Sequence, residues 1–140
     1  MSRYIGSYSP TASALTYQAI STTTTATSTS STFAVMSGSS LTVLQTGTYK
    51  VEACCNLSVN ASSTTNKAET QIFIDGAAQP NTQQQIGTQS SGLSGWNLTT
   101  NVFLIVNLQA GNVVDFRFRR SSGNATVTAA ARSLMITRVG

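Results

Sequence analysis

The segment Thr48-Tyr-Lys-Val-Glu-Ala-Cys-Cys-Asn-Leu-Ser-Val-Asn60 decides the fold. Tyr49, Val51, Ala53, Cys55, Leu57 and Val59 fall on one parity; Lys50, Glu52, Cys54, Asn56 and Ser58 fall on the other. Side chains of an extended strand point alternately to opposite faces, so this period of two predicts a long strand with one face in a core. Gly47 before it permits a tight turn, and 61–66 after it is a polar loop of Ala, Ser, Thr and Asn. Tyr49 is the large inward anchor of the strand.

The same grammar extends outward in both directions. Downstream, 69–75 reads as a strand with Ile72 and Ile74 on one side and Phe73 on the other. Asp75-Gly76 is a hairpin turn signal, and the polar 79–88 is its return strand. A polar loop over 89–95 leads to Trp96. Residues 97–108 form a long strand centred on Val102 to Val106, turned at 110–112 into a strand over 113–120. The last strand covers 125–139. Its inward parity shifts between Ala131 and Leu134, which predicts a bulge near residue 132. Upstream, Leu41 and Val43 mark a strand, Ser37 to Ser40 a turn, and Phe33 to Met36 another apolar run. The Ser/Thr/Ala tract 21–32 suits an extended segment, because threonine favours strands; its lack of large apolar groups suits a loop equally well. Leu15, Tyr17 and Ala19 alternate as a short strand. No stretch has helical period with caps.

The expected fold is therefore all-β: an antiparallel two-sheet jelly-roll sandwich of about eight strands with an extended N-terminal arm. The arm is 1–13 and the single domain 14–140. At 140 residues and net charge +4, the chain suffices for one domain. It has 20 Ser and 22 Thr but only 9% charged residues, so its surface is hydroxyl- and amide-coated. It has no His and four carboxylates. This inventory excludes Ser-His-Asp and Cys-His catalysis and HExxH zinc chemistry, and it argues against an enzyme. No cofactor or metal site is expected. Cys54 and Cys55 are adjacent, so on a strand they face opposite ways. A disulfide between them would close a strained eight-membered ring. Free thiols imply folding in a reducing cytoplasm. No signal peptide is evident, and no apolar run approaches the roughly 20 residues that cross a bilayer; a complete, soluble, non-exported product is the expectation.

Gly47-Thr48-Tyr49-Lys50-Val51 resembles the G-x-Y-x-hydrophobic strand of complement-type and tumour-necrosis-factor-like globular jelly rolls. Val102 to Leu108 with Ala110-Gly111-Asn112-Val113 is similar to their strand–L-x-x-G-D/N-x-V hairpin, in which Gly111-Asn112 would supply positive φ. Ala131 to Ile136 takes the place of their closing strand, without its aromatic-x-Gly. The resemblance spans roughly residues 41–140. In size, composition and fold the chain also resembles the small jelly-roll cement proteins that decorate the capsids of tailed bacteriophages. That second resemblance implies a structural virion protein on the outer capsid surface, made in the host cytoplasm, whose partner is the major capsid protein. It would be a homo-oligomer, dimer or trimer, with no direct nucleic-acid or membrane partner. The alternative is the receptor- or glycan-binding tip of a phage fibre or baseplate, acting through 61–67 and 89–96.

Two groups of residues are the contact candidates. Arg3, Tyr4, Ile5 and Tyr8 place apolar groups on a short arm, which must dock on a partner or pack back on its own domain. Arg117, Arg119, Arg120, Arg132 and Arg138 fill the last 24 residues, which hold no acid. In Phe116-Arg117-Phe118-Arg119-Arg120 the phenylalanines are expected inside and the arginines outside, as a patch for an acidic protein surface. Asp75 is assigned to its turn rather than to Ca²⁺. Trp96 is assigned to the core or a subunit contact rather than to a sugar.

Overall fold

The computed structural model describes residues 17–60, 66–88 and 96–140. Ten strands are present among them: β1 Tyr17–Thr22, β2 Ala26–Ser28, β3 Ala34–Thr42, β4 Gly47–Asn60, β5 Asn66–Ile74, β6 Ala77–Ala78, β7 Gln84–Thr88, β8 Trp96–Leu108, β9 Val113–Ser122 and β10 Thr126–Arg138. They form two antiparallel sheets. Sheet A runs β1-β10-β4-β8, with β2 also on β10; sheet B runs β3-β9-β5-β6, with β7 also on β5. Eight of the strands have five residues or more. Counted in chain order, those eight read first–eighth–third–sixth in one sheet and second–seventh–fourth–fifth in the other. This is the double wrap of a jelly roll.

β4 lies in the middle of sheet A, paired with β10 on one side and with β8 along Gly47–Val59 on the other. All six residues of its inward parity are buried. They meet Leu134 and Ile136 of β10, and across the sandwich Ile72 of β5 and Phe116 of β9, in one core cluster. Tyr49 is fully buried, and its hydroxyl donates to the Gln45 carbonyl at 2.7 Å, so the one polar atom of this anchor is satisfied. The glycine before it answers a different need from the expected turn. A Cβ on Gly47 would collide with the Arg138 side chain and the Gly140 carbonyl, because the chain after β10 bonds back to Thr48: Val139 N donates to Thr48 O at 2.7 Å.

Three details depart from the sequence reading. Ser37 to Ser40 is no turn: β3 runs through it, and Gly38, at φ 72°, sits where the register with β9 shifts between Val35 and Ser40. A bulge satisfies the same small-residue signal as a turn. β1 has the opposite parity, with Tyr17 and Ala19 outward and Gln18 and Ile20 turned in; Leu15 lies outside the described residues. Phe73 lies on the side opposite Ile72 and Ile74, as expected, and is buried there for a reason given below. Asn112 does not adopt positive φ; Gly111 alone does, at 94°, and Asn112 Oδ1 instead accepts from Gln109 N at 2.6 Å. The bulge near 132 is present between Ala129 and Arg132. Asp75 (φ 49°) and Gly76 (φ 80°) form the two-residue hairpin loop between Ile74 and Ala77.

Phe116→Ala empties the centre of the sandwich and should cost about 3–5 kcal/mol, read as a lower urea midpoint with an unchanged slope.

Candidate interaction surface

The outer face of sheet B is closed by its own chemistry. Arg117 Nη2 donates to Asp115 Oδ2 at 2.7 Å, and Arg119 Nε to Glu69 Oε2 at 2.6 Å. Ser40 Oγ donates to Asp115 Oδ1 and Gln85 Nε2 to Glu69 Oε1. The two guanidiniums also sit over aromatic rings, Arg117 over Phe73 and Arg119 over Phe33, each with Cζ 4.4 Å from the centroid. Phe33 and Phe73 touch at 5.3 Å. Phe73 is therefore buried on an outer face, beneath the Arg117 guanidinium rather than in the core. Burial would raise the Glu69 carboxyl, but the hydrogen bonds from Arg119 and Gln85 and the Arg119 charge outweigh it and hold the group below its ordinary 4.5.

The five C-terminal arginines do not form one patch. Phe116 and Phe118 are inside as expected, but Arg117 and Arg119 are engaged as above. Arg132, expected on the surface, is 3% exposed. From the β10 bulge its guanidinium donates to the carbonyls of Thr24 (2.6 Å), Ala129 (3.3 Å), Ala130 (3.0 Å) and Ser37. Ser37 belongs to β3, so this side chain ties the two sheets together across one end of the sandwich. The bulge turns it inward: the parity shift that gave residue 132 away also reverses the face it points to. Arg138 donates to Gly140 O at 3.2 Å and Gln45 Oε1 at 3.4 Å. Arg120 is half-buried, its N–H bonded to Ser30 O. Arg3, Tyr4, Ile5 and Tyr8 lie outside the described residues, as do 61–65 and 89–95 of the proposed glycan loops.

The outer face of sheet A is the opposite case. Its rows, read across the strands, are Tyr17-Thr137-Lys50-Ile105, then Ala19-Met135-Glu52-Phe103, then Ser21-Ser133-Cys54-Asn101. Tyr17, Phe103 and Ile105 are each more than 60% exposed. Tyr17 on β1 and Phe103 on β8 wall a groove of about 830 Å³, floored by Met135, Glu52, Ser133 and Cys54. Its charges are a single ion pair, Lys50 to Glu52 at 2.8 Å, with Lys50 5.8 Å from the Phe103 ring. β8 is also an edge, pairing with β4 alone among the described residues. Its backbone on the far side is thus offered to an added strand.

Sequence reasoning missed this face because Val102 to Val106 is an unbroken apolar run, which conceals parity. The signal was in the flanks. Thr99, Asn101 and Asn107 share the parity of Phe103 and Ile105 and mark it as outward. The two thiols are unlike. Burial pushes Cys55 up to about 12, against a smaller lowering by Arg132. Cys54 stands on the groove floor with Sγ 3.0 Å from Ser133 Oγ. No three metal-ligating side chains cluster among the described residues, and no helix among them is long and apolar enough to cross a membrane.

Arg132→Met would strand buried carbonyls and should cost on the order of 2–4 kcal/mol, measured by chemical denaturation. Glu69 binds fewer protons folded than unfolded, so it stabilises the fold above 4.5 and loses that contribution as pH falls through and below this value. Glu69→Gln should flatten the acid limb of a plot of unfolding free energy against pH.

No protein-family model matches the chain, and no curated protein resembles it in sequence. Among solved structures it is similar to the Eiger TNF of S. frugiperda, at 12% identity over 89% of this chain and 93% of that one, with a TM-score of 0.48. It is also similar to dimeric latent PorU from Porphyromonas gingivalis, at 7% identity over 87% of this chain and a TM-score of 0.54. The chain spans only 12% of the length of that PorU chain. At such identities the likeness concerns fold alone. The strand order makes this chain an all-β, two-sheet jelly-roll sandwich.

Proposed function

We propose that this chain is a structural virion protein, a capsid cement protein that binds the outside of an assembled icosahedral phage shell and bridges its subunits. The observation that carries the reading is the contrast between the two outer faces. One is sealed by arginine–carboxylate pairs; the other leaves Tyr17, Phe103 and Ile105 in solvent around a groove with a single ion pair. A chain without histidine, and with all four of its carboxylates already engaged in hydrogen bonds or ion pairs, has little to act with except contact. Each large apolar side chain withdrawn from water on docking contributes about 1.5–3 kcal/mol.

In this reading the partner is the major capsid protein. Arg3, Tyr4, Ile5, Tyr8, Arg120 and Arg138 remain its further contact candidates. The chain works as a homo-oligomer, dimer or trimer, on a capsid symmetry axis. The binding site exists only on the assembled shell, so binding stabilises the shell by mass action, growing with the logarithm of free protein over Kd.

Purified protein mixed with undecorated shells should co-sediment at a fixed stoichiometry. Phe103→Ser with Ile105→Ser should weaken that binding about 100-fold or more, leaving the urea midpoint of the free protein nearly unchanged. Binding to glycans or host cells, with none to shells, would replace this reading by the fibre-tip alternative.

A further inference from the structure

We infer that two copies of this chain pair antiparallel along β8 about a two-fold axis at Leu104, so that sheet A continues from one copy into the next. The choice of strand comes first. Edge strands are ordinarily short or bulged, or carry a charge or proline that blocks pairing. The other edges of this sandwich follow that rule. β1, β2, β6 and β7 have six residues or fewer, and the nine-residue β3 is broken by the bulge at Gly38. β8 has none of these devices. Its thirteen residues include no charge, proline or glycine, and its register with β4 is unbroken from Gly47 to Val59. Its far side is unpaired among the described residues. In the inward row Ile136-Val51-Leu104 the first two side chains are wholly buried and Leu104, at the edge, only partly. A further strand would complete that row.

The sequence of β8 selects a second copy as the occupant. Asn101-Val102-Phe103-Leu104-Ile105-Val106-Asn107 reads nearly the same from either end. Opposed residues of antiparallel strands share a face, and a two-fold axis at Leu104 sets Phe103 against Ile105, Val102 against Val106 and Asn101 against Asn107. On the outer face apolar then meets apolar and amide meets amide; on the inner face the two Leu104 side chains meet and extend the core. Moving the axis by one residue, to Phe103, would set Ile105 against Asn101, so the pattern selects the register as well as the partner. No charge on the paired strands repels an identical copy. An axis perpendicular to the sheet leaves both grooves on the same side. The inference rests on the homo-oligomer of the proposed function and specifies it as a two-fold dimer, able to lay two sheet A faces on one surface.

Sedimentation equilibrium of the full chain should show monomer and dimer, with no larger species. Asn101→Glu with Asn107→Glu turns both cross-strand amide pairs into carboxylate pairs. It should weaken the dimer at least about ten-fold, even though it lowers the net positive charge that opposes association. Asn101→Lys with Asn107→Glu turns the same two pairs into ion pairs and should return the dimer to the parent's strength or beyond. The two positions lie six residues apart on one strand, about 20 Å, so the new charges meet across the axis rather than within a chain. Urea midpoints equal to the parent's verify folding; if the doubly acidic variant is unstable, Asn101→Lys with Asn107→Lys makes the same repulsive test. A parent that stays monomeric at high concentration, or that forms trimers, would overturn the inference. So would equal association of parent and variants, or a Lys/Glu variant as weak as the doubly acidic one. None of these readouts involves shells: monomers that still co-sediment with shells would sink the dimer and leave the cement reading, and dimers that ignore shells would do the reverse.

Discussion

The sandwich depends on the burial of one side of β4. That strand lies between β10 and β8 in sheet A, and its six inward residues fill the space against β5 and β9 of the opposite sheet. Every other feature is placed by this one. The parity that puts Val51 and Leu57 in the core puts Lys50, Glu52 and Cys54 on the outer face, as one-residue alternation requires. Pairing in register then sets Phe103 and Ile105 beside them. The exposed apolar face follows from the core strand's own register together with the apolar residues that β8 carries beside it.

The two outer faces show how a chain with so few charges distributes them. Three carboxylates are engaged on or at the end of sheet B, each with donors close at hand. Surface ion pairs are individually worth little, but here the guanidiniums also lie on Phe33 and Phe73, shielding rings that would otherwise be wet. Arg132 solves another problem. Its β10 bulge leaves backbone carbonyls without ladder partners, and a five-donor guanidinium is well suited to collect several at once. The cation is buried without an acid among the described residues, held by peptide dipoles alone.

Much of the architecture was legible in the residues. The alternation of β4, the Asp75-Gly76 hairpin and the β10 bulge all follow from local rules, because each signal is set by the backbone conformation it requires. Reading failed where one signal serves two geometries. Ser37-Gly38-Ser39-Ser40 suits a turn or a bulge, and only the pairing of β3 with β9 separates them. The surface was less legible than the core. Arg132 looked like its neighbours Arg119 and Arg138 in composition, and its inward turn depends on a register shift spread over three residues. The apolar run of β8 hid which of its side chains face water until β4 fixed the register.

The length of the β4–β8 ladder has a mechanical consequence. Thirteen residue pairs, from Gly47–Leu108 to Val59–Trp96, run side by side along one direction, and β10 flanks β4 on its other side over most of that length. Antiparallel hydrogen bonds stand perpendicular to the strands. Tension applied along the strand axis therefore strains all of them in shear together, whereas a pull across the sheet would open them one after another. A domain anchored at the two ends of these strands resists stretching far better than peeling, and the direction in which it is gripped decides how much force it withstands.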